Sequence, residues 1–319
     1  MPLHEKALIA RIRREAAKRP DNYTALGIGD DCAVLRVPPG QEILATTDFS
    51  IEGIHFRRGW HPPESVGHRC LARGLSDIAA MAGEPIAALL SLAVPAKLPQ
   101  SWVDRFLRGL LKLGKKFGVP LLGGDTSQSK AGILADIVVL GTVPQGKAIL
   151  RSGACPGDRI YVTGELGASA ATLHLLLSGG TLRAADYSAH FYPEPRINVA
   201  RFLREKDLAS AMIDLSDGLS TDLAHICEES GVGAEIQAEA IPKASIRKNR
   251  QDVELAFALH GGEDYELLFC ASRGRRVPPR IAGVEITEIG FIQRGERIIL
   301  MTERSGGELK PRGWEHFKR

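Results

Sequence analysis

The chain has 319 residues, 41 Lys and Arg against 38 Asp and Glu for a formal net charge of +3, and a hydrophobic fraction of 44%. That make-up can bury at least one large core and excludes global disorder; the length corresponds to roughly two domains. No apolar run reaches the ~18 residues of a membrane span. The near-neutral balance, with basic clusters at Arg247-Lys248-Asn249-Arg250 and Arg273-Gly274-Arg275-Arg276, argues against nucleic acid as a partner, and both clusters read as solvated loops.

Residues 1–18 are rich in Arg, carry Glu5 and Glu15, and lack an apolar stretch followed by small residues, so they read as a surface helix and not as a secretory signal. Helical periodicity marks 5–18, 63–81 and 101–117, where Trp102, Phe106, Leu110, Leu113 and Phe117 recur at spacings of three and four and form a core stripe. Strand-like segments are expected at 32–37, 42–47, 86–94, 133–143, 159–163, 211–214 and 265–270, with a possible hairpin over 291–300. The turn-rich stretch 151–158 has no apolar periodicity and marks the expected boundary between domains 1–150 and 151–319. The five cysteines, Cys32, Cys70, Cys155, Cys227 and Cys270, are scattered and form no C-x-x-C pair. They argue against a disulfide framework or a zinc site and fit a reducing cytoplasm.

Glycine makes up about one residue in ten, 34 in all, above the usual ~7%. Much of the surplus meets acids: Gly27-Ile28-Gly29-Asp30-Asp31, Gly123-Gly124-Asp125-Thr126, Asp214-Leu215-Ser216-Asp217-Gly218 and Gly261-Gly262-Glu263-Asp264, with Thr46-Thr47-Asp48 and Ser76-Asp77 beside them in character. Glycine lets backbone approach a ligand closely, and carboxylates are the hard oxygen donors that Mg²⁺ prefers. A single Asp-Gly pair usually closes a turn or caps a helix. Repetition of such pairs beside apolar runs points instead to phosphate and divalent metal, because clustered carboxylates repel unless a cation separates them.

Other chemistries fit less well. Gly141-Thr142-Val143-Pro144-Gln145-Gly146-Lys147-Ala148 matches the G-x-x-x-x-G-K pattern but ends in Ala where a P-loop needs Ser or Thr, and the run 148–153 is too short and glycine-interrupted to be the phosphate-binding helix. There is no G-x-S-x-G elbow and no H-E-x-x-H.

On the acid-glycine motifs, together with Glu52-Gly53-Ile54-His55-Phe56, Leu75-Ser76-Asp77-Ile78-Ala79-Ala80-Met81, Gly261-Gly262-Glu263-Asp264-Tyr265-Glu266-Leu267 and Gly313-Trp314-Glu315-His316-Phe317, the sequence resembles the thiamine-monophosphate kinase family. That family belongs to a superfamily with aminoimidazole ribonucleotide synthetase and selenophosphate synthetase. The resemblance implies a mixed α+β protein of two domains, the first dimerising through its sheet and the second a sandwich-like α/β domain. It further implies a cytoplasmic homodimer that uses ATP and several Mg²⁺ ions to phosphorylate thiamine monophosphate, with no nucleic-acid or membrane partner.

Position by position, the resemblance makes Asp31, Thr46, Thr47, Asp48, Asp77, Asp125, Asp214 and Asp217 the metal shell, with Asp30 as a neighbour. It gives Gly124, Asp125, Arg151 and Ser216 to ATP, and His55, Glu263 and Trp314 to thiamine monophosphate; no residue is expected to act as a general base. Trp314 offers a π-face to a cationic thiazolium and Glu263 can accept from an aminopyrimidine, while the plain alternative for Trp314 is a core aromatic pinning the tail. Two other readings stay open: another ATP-using member of the superfamily, of cyclo-ligase or selenophosphate synthetase type, and a non-catalytic nucleotide- or metal-binding sensor.

Overall fold

The computed structural model describes residues 5–16, 23–26, 28, 33–246 and 252–314, so the expected Asp30 and Asp31 lie outside the described residues. The chain divides into two compact units, Met1–Ile78 with Gly83–Gly146, and Ala79–Ala82 with Lys147–Arg319. Both are mixed α and β.

The first unit begins with α1 (Glu5–Ala16), then β1 (Thr24–Leu26) and β2 (Val34–Leu35), which pair with each other. Its main sheet is built from β3 (Gln41–Ile51), β4 (Glu84–Pro95), β5 (Leu121–Ser129) and β6 (Leu134–Pro144) in the order β3-β6-β4-β5, with only β4 and β5 parallel. The helices are α2 (Pro63–Ala80) and α3 (Gln100–Phe117). One sheet face is packed: a Cβ on Gly74 of α2 would fall 2.5 Å from Val139 Cγ2 on β6. Two further glycines let α2 and α3 touch, since a Cβ on Gly67 would sit 1.9 Å from the Phe106 carbonyl and one on Gly109 1.9 Å from the Glu64 carbonyl. The expected stripe of α3 is core at Trp102, Phe106, Leu110 and Leu113, and Gly118 at φ 71° ends the helix in a left-handed cap. The opposite sheet face is open, with Ile43 58% and Phe49 54% exposed.

The second unit is one larger sheet with its helices. In chain order it comprises β7 (Arg159–Thr163), α4 (Ala168–Leu177), α5 (Ser188–Phe191), α6 (Ile197–Glu205), β8 (Ala211–Asp214), α7 (Leu219–Ser230), β9 (Gly233–Gln237), α8 (Leu255–His260), β10 (Leu267–Ala271), β11 (Arg280–Ile281), β12 (Val284–Gln293), β13 (Ile298–Met301) and β14 (Gly306–Glu308). The strand order is β14-β13-β9-β12-β7-β10-β8, with β11 on β12. Ile160, Val162, Ile213, Leu268 and Cys270 form the centre of its core with Leu223 and Ile226 of α7.

Three sequence expectations change. The possible hairpin over 291–300 is absent: β12 and β13 are consecutive but both pair with β9, one antiparallel and one parallel. The turn Gly295 at φ 98° therefore returns the chain over β9 instead of closing a two-stranded ribbon. Gly123-Gly124-Asp125-Thr126 lies within β5, a strand not among those expected, which runs alongside β4. Thr46-Thr47-Asp48 likewise lies inside β3, which is longer than the expected 42–47.

Candidate functional site

In the first unit, strand alternation decides which donors share a face. Thr46 and Asp48 point to the helix-covered face, where the Thr46 hydroxyl donates to the Asp77 carboxylate from α2. Thr47 points to the open face, its hydroxyl donating to Asp136 Oδ1 at 2.6 Å. Asp125 is on that open face too, in the register row Phe49–Asp136–Ser91–Asp125. It is exposed, and its Oδ1 accepts from the Thr126 N–H at 2.8 Å. β3 and β5 are the two edges of the sheet, separated by three strand spacings or about 14 Å. Thr46 and Asp77 are thus brought together and Asp48 shares their face, while Thr47 and Asp125 lie on the other.

Gly124 has a structural reason to be glycine: at φ 143° a Cβ would fall 1.8 Å from the Leu90 carbonyl. His55 sits in the turn after β3, where its Nδ1 accepts from the Ile51 N–H at 3.0 Å and its own N–H donates to the Ile51 carbonyl at 2.9 Å. A neutral ring in that arrangement carries its proton on Nε2.

In the second unit several expected residues converge. Asp214 ends β8 and is buried. The chain then turns through Ser216 and Asp217 into α7, with Gly218 at φ 112° as the residue before the helix. The Glu263 N–H donates to the Ser216 carbonyl at 2.8 Å, the Tyr265 N–H to the Leu215 carbonyl at 2.9 Å, and the Trp314 N–H to the Asp217 carbonyl at 3.1 Å. The tail is further anchored by the Gly313 N–H on Thr221 Oγ1 at 3.0 Å and the Arg312 N–H on Ser220 Oγ at 3.3 Å. Gly313 and Gly262 permit this closeness, since added Cβ atoms would lie 2.1 Å from the Asp217 carbonyl and 2.5 Å from the Ser216 carbonyl. The Trp314 side chain is 56% exposed, so the tail is pinned by backbone and not by a core aromatic. Arg151 is elsewhere: the Leu150 carbonyl accepts from Met212 near the start of β8, and the Arg151 carbonyl accepts from Ser230 at the far end of α7.

Two acids that sequence reasoning passed over support this loop. Asp222 on α7 accepts from the N–H groups of Gly218 at 2.9 Å and Asp217 at 3.2 Å. Burial, reinforced by the charges of Asp214 and Asp217, pushes its carboxyl up to about 8. Asp264 accepts from the Gly167 N–H at 2.7 Å and the Ser169 N–H at 3.3 Å, at the start of α4, and desolvation pushes it up to about 7 against the lowering effect of those bonds. The signal for Asp222 was its position in the first turn after Gly218; Asp264 was visible in its motif without a role.

The donor set is all oxygen, carboxylates with the Thr hydroxyls, which suits Mg²⁺. Burial is the main cause of the upward push on Asp222, and the neighbouring charges of Asp214 and Asp217 add to it; a cation beside those carboxylates would relieve their repulsion. Among the described residues no group of three or more His, Cys, Asp or Glu side chains forms a ready-made metal shell.

Residues 29–143 match the family described as AIR synthase related protein, N-terminal domain, and residues 155–278 the corresponding C-terminal domain. The thiamine-monophosphate kinase of Escherichia coli (strain K12) is 38% identical, with 99% of each chain covered, and that of Bacillus subtilis (strain 168) is 35% identical, with 92% of this chain and 94% of the relative covered. Among solved structures, the thiamine-monophosphate kinase from Stenotrophomonas maltophilia K279a superposes with a TM-score of 0.81 at 32% identity, covering 94% of this chain and 97% of that one. A structure of AaThiL complexed with AMPPCP and TMP gives 0.78 at 31%, covering 99% of both. The hydrogenase maturation protein HypE shares the fold, with a TM-score of 0.79 at 18% identity over 96% of this chain and 94% of that one.

Proposed function

Because the chain belongs to the thiamine-monophosphate kinase family, we propose that it transfers the γ-phosphoryl group of ATP to the phosphate of thiamine monophosphate, releasing ADP and thiamine diphosphate. The observation that carries this reading is the convergence of Ser216, Asp217, Glu263 and Trp314 through three backbone hydrogen-bonded segments. Residues of three expected roles, nucleotide, metal and thiamine contact, meet there.

The acceptor phosphate is already an anion, so the reaction needs no general base and the residues work by positioning and charge. Asp214 and Asp217, with Thr46, Thr47, Asp48, Asp77, Asp125 and Asp31, would hold the metal. Mg²⁺ bound to such oxygens neutralises the charge of two phosphates that must approach each other. Asp222 holds the Asp217–Gly218 backbone so that Asp217 keeps its direction. Ser216 and Gly124 line the nucleotide, with Asp125 beside it, and Arg151 adds fixed positive charge. Trp314 presents its exposed ring to the thiazolium cation. Glu263 accepts from the aminopyrimidine, and His55, as the Nε2–H tautomer, donates toward the substrate phosphate.

The first domain, 1–150, would carry most of the ATP and metal contacts and the dimer interface, and the second, 151–319, a sandwich-like α/β unit, would complete the nucleotide and substrate site. One observation supports a dimer formed through the first sheet: its open face exposes Ile43 and Phe49. Cys70, Cys155, Cys227 and Cys270 are free thiols, which fits a reducing cytoplasm.

The test is a panel of phosphoryl acceptors supplied with ATP and Mg²⁺, with ADP followed by a coupled assay. ADP release that depends on thiamine monophosphate supports the reading. ATP binding without turnover on any acceptor indicates a sensor and contradicts it.

A further inference from the structure

The basic cluster Arg273-Gly274-Arg275-Arg276 is the exposed loop that the sequence predicts, and it borders an open depression of about 400 Å³ in the second unit. Arg273, Arg275 and Arg276 line it from the loop after β10, and Arg159, Tyr161 and Glu288 line it from the sheet. Four arginines and one carboxylate therefore line it. That carboxylate is committed: Glu288 Oε2 accepts from Arg159 Nη1 at 2.7 Å and from the Tyr161 hydroxyl at 3.2 Å. Arg275 is held by Asp207. Among the described residues Arg273 and Arg276 form no ion pair.

The cavity lies away from the converging site of the same unit. Leu267, at the start of β10, pairs with Asp214, whereas Ala271, at its end, pairs with Arg159. Tyr161 is stacked on Phe269 at 5.3 Å between ring centroids, so the sheet side is a rigid wall, and Val277 and Ile286 add apolar surface. A volume of this size suits a small metabolite. Two uncommitted guanidiniums on one rim, with a third and fourth fixed by carboxylates, match the paired charges of a diphosphate group, which guanidinium forks bind bidentately.

We propose that this cavity is a second binding site, for the diphosphate group of a small phosphorylated metabolite. It does not depend on the kinase reading, because the ligand class is set by the arginines alone.

The experiment is calorimetric titration of the full chain with inorganic pyrophosphate at fixed ionic strength, repeated with ADP and thiamine diphosphate to identify the source of the group. Three variants accompany it: Arg273→Ala with Arg276→Ala, Arg273→Lys with Arg276→Lys, and Asp214→Asn. The expected result is saturable binding that weakens about tenfold or more in the double Ala variant and by less in the double Lys variant, which keeps charge but loses the fork. Asp214→Asn leaves the pyrophosphate isotherm, measured without Mg²⁺, unchanged. Unchanged turnover and melting in the double Ala variant place the effect at the cavity. Equal pyrophosphate affinity in the wild type and the double Ala variant overturns the proposal, as does the absence of any saturable pyrophosphate binding.

Discussion

The backbone N–H of Glu263 donates to the carbonyl of Ser216 at 2.8 Å, although Glu263 holds a φ of 66°. A non-glycine residue in the left-handed region is retained when its surroundings over-determine it, and here the neighbouring Gly262 lies against the same carbonyl. The loop after β8 is thus fixed by main-chain bonds, so side-chain chemistry can be altered while the frame persists. Asp214→Asn and Asp125→Asn are each expected to lower kcat by about a hundredfold or more, the scale of losing one charge-stabilising group in a phosphoryl-transfer site, with circular dichroism unchanged. Near-normal steady-state turnover in either variant contradicts the metal-shell assignment.

Trp314 is tied by its N–H to Asp217 while its ring is exposed, so its side chain lies outside the core, as the proposed contact with the thiazolium requires. Trp314→Ala should raise the KM for thiamine monophosphate about tenfold or more, the scale of a partly desolvated cation–π contact. The KM for ATP and the melting temperature should stay near wild type, and Trp314→Phe should recover much of the loss.

Asp264 is raised to about 7 by desolvation, above its ordinary carboxylate value. Between about pH 4 and 7 the unfolded chain gives up this proton while the folded chain keeps it, so this residue makes stability fall as pH rises through that window and level off above it. The slope it contributes is at most about 1.4 kcal/mol per pH unit. Urea titrations across that range should show the slope in the wild type and a shallower one in Asp264→Asn.

Phe49 is 54% exposed on the open sheet face. If two chains meet there, Phe49→Glu places a charge in an apolar interface and should convert a dimer to a monomer in sedimentation velocity. A wild-type monomer at working concentrations contradicts the interface.

Helices were legible because α2 and α3 carry a one-sided apolar period that survives any tertiary context. β7 and β8 were equally plain as short apolar runs ended by turn residues. β5 was not legible, and β3 only as far as Thr47, because Gly, Asp and Thr carry local turn preferences that the neighbouring strands override. The pairing of β12 and β13 could not be read at all, since it depends on β9, more than forty residues upstream. For the site, the residue identities of Ser216, Asp217, Glu263 and Trp314 were visible in motifs, but their meeting rests on non-local backbone bonds. Asp222 and Asp264 went unassigned because an acid that accepts backbone N–H groups looks, in sequence, like any surface carboxylate.

The central claim is phosphoryl transfer to a phosphate, and ATP labelled in its γ-phosphate tests it most directly. With Mg²⁺ and thiamine monophosphate, the label should appear in the terminal phosphate of thiamine diphosphate, in step with ADP. Label released as inorganic phosphate, or ADP formed without labelled thiamine diphosphate, would contradict it.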